Sequence, residues 1–170
     1  DKDQYTFLAY APYGNGNITD YPTELGQPNP TIKFTVAEAL GNQTDLLYSN
    51  NLTNTTKANA ELNFKHALSR ITVKASEANA EYGYTVTAIS LKGKFIANDV
   101  LTLATGAWST NGAVAENEVS YNIATTSVVV TDTSTEGTVA YDFAGADKTN
   151  YLMVIPVDFT SGAVEGEVTT

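Results

Sequence analysis

The sequence contains no cysteine and only one each of histidine, arginine, methionine and tryptophan. Without cysteine the chain can form no disulfide bond and no thiolate metal site, and it has no thiol nucleophile. A single histidine cannot supply the imidazole ligands that protein zinc sites usually combine. We therefore expect no metal, no cofactor and no catalytic residue, and the sequence predicts a protein that is not an enzyme.

Positive charge is also scarce. Nine Lys and Arg residues stand against nineteen Asp and Glu residues, which gives a formal net charge of −10 at pH 7. The basic residues form no run, so the sequence argues against nucleic-acid binding, which needs a basic surface. No apolar run approaches the length of about 20 residues that a transmembrane helix needs. No signal peptide is visible, and since the chain starts at Asp1 we expect a mature or trimmed fragment.

The residues that are abundant favour β-structure. Hydrophobic residues make up 42% of the chain, and Val, Ile, Thr, Tyr and Phe recur in short alternating segments such as 31–36 and 119–123. Turn-forming residues separate these segments every 8–12 positions, and Asn111-Gly112 is the clearest turn. The pattern predicts about eight to ten short strands without a helix, which is typical of an antiparallel β-sandwich.

Residues 61–75 form the stretch around which the predicted sandwich is organised. One face of an extended chain carries four of its residues, Leu62, Phe64, His66 and Leu68. The next apolar residue, Ile71, comes three positions later rather than two, so the alternation slips by one residue. A slip of one residue would turn the rest of the strand inside out. We therefore predict a β-bulge near Ser69-Arg70, or a strand that crosses from one sheet to its partner.

The same alternation predicts which side chains are buried. The expected core members are Phe64, Leu68, Ile71, Val73, Met153 and Ile155. Residues 151–157 are apolar on both faces, which is typical of a strand covered on both sides. Because His66 stands in register between two large apolar residues, we interpret it as a buried structural histidine. Its replacement by Gln should then lower stability by about 1–3 kcal/mol.

Four short motifs, in this order along the chain, resemble the fimbrillin family of Bacteroidetes cell-surface proteins. The second motif is Asp-Leu-Leu-Tyr at 45–48, and the third is Leu-x-Phe-x-His-Ala-Leu-Ser-Arg-Ile at 62–71. Residues 7–13 resemble the aromatic first strand of that family, and residues 152–156 resemble its domain-closing strand. The residues of this chain that carry the resemblance in the third motif are Phe64, His66, Leu68, Arg70 and Ile71.

The resemblance implies a transthyretin-like sandwich over residues 1–159, with 160–170 as a tail or as the start of a truncated second domain. It implies a pilus subunit, or an accessory tip or anchor lipoprotein, at the outer membrane and cell surface. Its partners would be other pilus subunits that join by β-strand addition. Contact with the membrane would come only through a lipid anchor outside this chain. For such assembly we expect an open apolar groove or edge strand.

The alternative is a cell-surface carbohydrate-binding module on the same kind of sandwich. Aromatic side chains outside the core would then contact a host glycan or a host protein. The candidate contact residues are Trp108, Tyr13, Tyr21 and Tyr82. The first is the only tryptophan, and the three tyrosines lie beside predicted turns.

Overall fold

The computed structural model describes residues 4–56, 59–75, 84–124, 128–130, 141–142, 151–158 and 164–169. Every strand pairing within these residues is antiparallel, and one 3₁₀ turn at Leu40–Asn42 is the one helical element among them. No helix in this part of the chain is long and apolar enough to cross a membrane. The predicted all-β sandwich class is confirmed. The strands are β1 Tyr5–Ala11, β2 Ile18–Asp20, β3 Thr31–Thr35, β4 Leu47–Thr55, β5 Lys65–His66, β6 Ser69–Ile71, β7 Lys74–Ala75, β8 Tyr84–Val86, β9 Ala88–Gly93, β10 Asn98–Thr102, β11 Ala107–Trp108, β12 Val119–Ala124, β13 Val128–Val130, β14 Tyr141–Asp142, β15 Leu152–Val154 and β16 Val164–Thr169.

Two sheets form the main layers near the first half of the chain. One has the order β1-β4-β5 and the other the order β11-β10-β3-β2. Two side chains link them: the Trp108 indole N–H donates to the Ala67 carbonyl at 3.0 Å, and Asn50 donates to the Ala104 carbonyl at 3.0 Å. A third sheet has the order β12-β9-β16, and three two-stranded pairs join β13 to β8, β14 to β7 and β15 to β6.

The core follows from alternation within the strands. In β3, Ile32 and Phe34 are buried while Thr31 and Lys33 are exposed, as a half-buried strand requires. The predicted double-sided strand is confirmed, because all four residues from 152 to 155 are buried. The largest fully buried side chains are Tyr121, Phe34, Phe95, Ile32, Leu46, Leu101, Leu152, Ile155 and Val154.

The predicted crossing of the chain between two sheets is confirmed. Strand β5 pairs with β4 in the first sheet, whereas β6, three residues further on, pairs with β15. A bend at Leu68 separates the two strands, and both Ala67 and Leu68 are buried there. The slip in the apolar pattern therefore marks a change of sheet.

The prediction that the first half of residues 61–75 places its apolar face in the core is wrong. Phe64 is 44% exposed and His66 is exposed as well, although both were expected in the core, and Leu62 on the same predicted face is 37% exposed. Alternation shows that residues share a face but does not say which face is covered. Here β5 is the edge strand of its sheet, and both of its residues, Lys65 and His66, are exposed.

The remaining burial predictions divide in two. Leu68, Met153 and Ile155 are buried, as expected. Ile71 and Val73 are only half-buried, and Ile71 packs against the border of the core. These two lie just beyond the crossing, where the strands are only two or three residues long. A short strand covers less of its neighbours than a long one, so its apolar side chains stay partly accessible.

Two other segments differ from the sequence-based expectation. Residues 49–55 belong to the nine-residue strand β4, which pairs with β1, although their sequence is almost wholly polar and is typical of a surface loop. Ser49 and Leu52 of this strand are buried, and Asn51 is exposed. In addition, β16 pairs with β9 along its whole length. The domain boundary at residue 159 stays a prediction.

Turn geometry matches the sequence at two sites. Asn111 and Gly112 both have positive φ angles, 50° and 81°, as a type I′ turn requires. Gly106 closes the β10–β11 hairpin with a φ of 74°. An added Cβ at Gly106 would overlap the side chain of Tyr48 from the facing sheet. This glycine thus allows both the hairpin turn and close approach of the two layers.

We predict that Gly106→Ala lowers the free energy of unfolding by about 3 kcal/mol, because a positive φ and a steric clash with Tyr48 add together. Gly26→Ala is the matched control, since Gly26 has a φ of 79° but no atom within 4 Å of the added Cβ. The control should lose only about 1 kcal/mol. Urea denaturation of both variants measures the difference, and equal losses would contradict the role given to Tyr48.

Candidate functional site

Strand β1 is an edge strand with an unusually apolar sequence. It pairs with β4 on one side, and in the described part of the chain no strand and no further backbone hydrogen bond engages residues 7–11 on the other side. Its sequence, Tyr-Thr-Phe-Leu-Ala-Tyr-Ala, contains neither a charge nor a proline. Charges and prolines are the usual features that prevent another strand from adding to an edge. This edge therefore lacks that protection.

The side chains of β1 divide between the core and the surface. Leu8 and Tyr10 are half-buried and pack against the core. Tyr5 and Phe7 point to the other face, where they are 56% and 40% exposed, and their ring centroids lie 6.4 Å apart. An edge flanked by two exposed aromatic rings offers both backbone hydrogen bonds and apolar surface to an added strand.

The other described edges are less suited to such pairing. Strands β2 and β11 have three and two residues, and β16 carries two glutamates. Strand β12 has six residues and no charge, but its Ser120 and Asn122 face solvent while Tyr121 and Ile123 are buried. Among the described edges, β1 alone combines length, absence of charge and exposed apolar side chains.

Three tyrosines form a second aromatic group near the end of β1. The rings of Tyr10, Tyr13 and Tyr21 lie 5.9–6.4 Å apart, centroid to centroid, and Tyr13 and Tyr21 meet edge to face. Tyr13 is 78% exposed and Tyr21 is 37% exposed. A hydrogen bond with Tyr13 raises the pKa of the Tyr21 hydroxyl, and burial raises the pKa of Tyr10. Two of the predicted contact residues therefore do lie together on the surface.

The other two aromatic candidates do not join this group. Trp108 is only 8% exposed; its ring packs 6.4 Å from that of Phe34, and its indole N–H is bound to the Ala67 carbonyl. The expectation that Trp108 lies outside the core is thus wrong, because the ring is part of the junction between the sheets. Tyr82 lies outside the described residues.

A cleft of about 300 Å³ lies where β5, β6 and β15 meet. Its walls carry the only histidine and the only arginine of the chain. The Nδ1 atom of His66 lies 2.6 Å from the Oδ2 atom of Asp45, so His66 donates and the carboxylate accepts. The guanidinium of Arg70 lies over the ring of Tyr151, at 4.5 Å from its centroid. The lining residues are Asp45, His66, Leu68, Arg70, Tyr151 and Met153.

The prediction that His66 is a buried structural histidine is wrong. Its side chain is 72% exposed and its partner is a carboxylate, so it is a surface histidine in an ion-pair geometry and not a core residue. Alternate residues 66, 68 and 70 of the third motif line the cleft together, while Phe64 and Ile71 lie outside it. Sequence reasoning missed Asp45 and Tyr151. The motif at 45–48 contained a signal for the first, and nothing marked the second.

Asp99 holds together the turn that follows β11. It is 6% exposed and accepts hydrogen bonds from the side chains of Ser109 and Thr110 and from the backbone N–H groups of Val100 and Thr110. Burial raises the pKa of this carboxyl, but the hydrogen bonds outweigh it and hold the pKa below its ordinary value. Asp99 is a structural acid and not a reactive one.

Comparison with known proteins gives one family. A family model described as fimbrillin-like matches residues 1–169, which is almost the whole chain. Neither the comparison with curated proteins nor the comparison with solved structures gave a match. The family match confirms the resemblance drawn from the four motifs.

We predict that His66→Gln changes the free energy of unfolding by less than about 1 kcal/mol, because exposed ion pairs contribute little. Leu68→Ala is the control from the same segment; it removes a buried side chain and should cost about 2–5 kcal/mol. Chemical denaturation of both variants tests the assignment. If His66→Gln lowers the free energy of unfolding as much as the control does, His66 is a buried structural residue after all.

We predict that Asp99→Asn lowers the free energy of unfolding by about 3 kcal/mol at pH 7, because it places an amide opposite N–H donors. A depressed native pKa means that the stabilisation is complete above the unfolded pKa, about 3.9, and is lost as the pH falls through the native pKa. The difference from the wild type should therefore shrink below about pH 4. Asp20→Asn, at an exposed carboxylate, is the control, and a difference independent of pH would contradict the prediction.

Proposed function

Because the chain belongs to the fimbrillin-like family, we propose that it assembles with other pilus subunits by β-strand addition at the open edge of β1. The family is one of structural subunits of surface appendages and not of enzymes. The finer role that we propose is that of a pilus subunit or an accessory tip or anchor lipoprotein. The observation that carries the proposal is the uncharged edge of β1 with its two exposed aromatic rings.

Physical reasoning supports β1 as the acceptor. In an edge strand about half of the backbone N–H and C=O groups point away from the sheet. An added strand would pair with these groups along residues 7–11 and would cover the rings of Tyr5 and Phe7. Each backbone hydrogen bond contributes about 1 kcal/mol net, and each buried aromatic side chain contributes about 2 kcal/mol. Both contributions favour pairing of an added strand along this edge.

The charge of the chain supports the same proposal. A net charge of −10 keeps separate copies apart and limits random association. Since β1 itself carries no charge, the side chains of β1 exert no ionic repulsion on an added strand. Attachment to the outer membrane through a lipid anchor outside this chain belongs to the proposal as well, as do contacts of the finished appendage with a host protein.

Carbohydrate binding is the second candidate function. The observation that favours it is the cluster of Tyr10, Tyr13 and Tyr21, since exposed aromatic rings stack on the apolar faces of sugars. Two rings that meet edge to face form a notch, not a flat platform. Strand addition remains the leading proposal, because the family match bears on assembly and not on a sugar.

The test of strand addition compares hydrogen exchange in the isolated chain with exchange in assembled appendages taken from cells that produce the protein. We predict that amides within residues 7–11 exchange at least tenfold more slowly after assembly, because new backbone hydrogen bonds protect them. Phe7→Lys places a charge on the edge and should exclude the chain from the assemblies.

Phe64→Lys is the matched control, because Phe64 is similarly exposed but lies outside β1. Thermal unfolding of both variants establishes that they fold. Equal incorporation of the two variants, together with unchanged exchange at residues 7–11, would show that β1 is not the acceptor.

A further inference from the structure

Two phenol rings of the tyrosine cluster, those of Tyr13 and Tyr21, have a geometry that favours oxidative coupling. Their centroids lie 5.9 Å apart, their planes meet at 74°, and a hydrogen bond joins the two side chains. Neither residue belongs to β1, so strand addition along that strand does not use them. We propose that Tyr13 and Tyr21 form a modification site, at which a peroxidase with hydrogen peroxide joins the two rings by a carbon–carbon bond as dityrosine.

The coupling is a two-electron oxidation of the tyrosine pair, and hydrogen peroxide is the electron acceptor. Each phenol loses the hydrogen atom of its hydroxyl group and becomes a phenoxyl radical, whose unpaired electron is shared with the Cε ring carbons. One Cε atom of each ring then forms the new carbon–carbon bond, and the protons on these two carbons move to the two oxygens. The two hydrogen atoms that the phenols lost reduce one molecule of hydrogen peroxide to two molecules of water.

The hydrogen bond between the two side chains brings the reacting carbons together. Each Cε atom is bonded directly to the carbon that carries the hydroxyl group, so two hydrogen-bonded hydroxyl groups place a Cε atom of one ring near a Cε atom of the other. Tyr13 is 78% exposed, so its ring can rotate towards Tyr21 without disturbing the core. The same exposure makes the phenol of Tyr13 accessible to an oxidant.

Hydrogen bonds fix the segment of residues 14–20 that connects the two tyrosines. The side chain of Asn15 accepts from the N–H of Asn17 and donates to the hydroxyl of Thr44, both at 2.9 Å. The carbonyl of Asn17 accepts from the N–H of Thr35 at 2.8 Å. Groups that are held in place next to each other react as if at a high effective concentration. Coupling within one chain should therefore be faster than coupling between chains in dilute solution.

Tyr10, the third ring of the cluster, supports the pair and is not a coupling partner. Its centroid lies 6.4 Å from that of Tyr13 and 6.2 Å from that of Tyr21. It is half-buried and packs against the core, which shields its hydroxyl from an oxidant. Burial also raises the pKa of this hydroxyl, so its proton is lost less readily. Both effects direct the coupling to Tyr13 and Tyr21.

The new bond would link two sheets. Tyr13 follows β1 in the first sheet, whereas Tyr21 follows β2 in the facing sheet. A covalent link between them restricts the unfolded chain, as a disulfide bond does, and this chain has no cysteine with which to form one. The coupled chain should therefore unfold at a temperature about 5 °C higher than the untreated chain.

The test treats the full chain, in dilute solution, with a peroxidase and an equimolar amount of hydrogen peroxide. Mass spectrometry of the monomer should show the loss of two hydrogen atoms, and the chain should gain the fluorescence of dityrosine. A protease that cleaves before aspartate separates Tyr13 from Tyr21 at Asp20. The two fragments should remain joined after treatment, and fragmentation of the joined product should place the link at these two residues.

Variants to phenylalanine keep each ring and remove only the phenol chemistry. Tyr13→Phe and Tyr21→Phe should each lower the yield of dityrosine within the monomer at least tenfold, because the preorganised partner is lost. Tyr10→Phe is the control within the cluster, and Tyr5→Phe is the control at another exposed ring, 56% exposed. Each control should change the yield by less than about twofold, because neither removes a coupling partner.

Three results would overturn the proposal. The first is a treated monomer without dityrosine, whether the chains stay unlinked or join only to one another. The second is an undiminished yield in Tyr13→Phe or Tyr21→Phe, and the third is a link that joins Tyr10 to either of them. An unchanged unfolding temperature of the coupled chain would overturn the link between the sheets. Circular dichroism shows which variants are folded, and if one phenylalanine variant does not fold, the other variant and the joined fragments decide the question.

Discussion

The two backbone hydrogen bonds of Ala67, at the crossing between β5 and β6, are the constraint on which the rest of the structure depends. The N–H of Ala67 donates to the carbonyl of Leu46 at 2.8 Å, and its C=O accepts from the indole of Trp108 at 3.0 Å. One bond ties the crossing to the β4 side, and the other ties it to the facing sheet. Since both groups are buried, loss of either bond would leave an unpaired polar atom in the core.

This constraint determines which side chains reach the surface. With Ala67 fixed between the layers, His66 on one side of it is exposed and Leu68 on the other is buried. The alternate positions then bring Arg70 to the wall of the same cleft as His66. A bend that is required for packing therefore also places the only histidine and the only arginine of the chain at one cleft.

Much of the fold was predictable because strand periodicity and turn chemistry act locally. The strands around Phe34 and Tyr121, the turn at Asn111-Gly112 and the change of sheet after Leu68 all follow from short-range patterns. The exposure of Phe64 and His66 did not follow, because alternation is silent about which face another layer covers. The burial of Trp108 could not be predicted from the sequence either, since only the tertiary structure brings its indole to the Ala67 carbonyl 41 residues away.

The two candidate sites lie on opposite edges of one three-stranded sheet. Strand β1 forms one edge and β5 the other, with β4 between them. Adjacent strands are about 4.8 Å apart, so about 10 Å separates the axes of the two edge strands. A strand added beside β1 would extend the sheet away from β5 and would leave the cleft at His66 and Arg70 accessible. Strand addition at β1 is therefore compatible with an unobstructed cleft on each subunit.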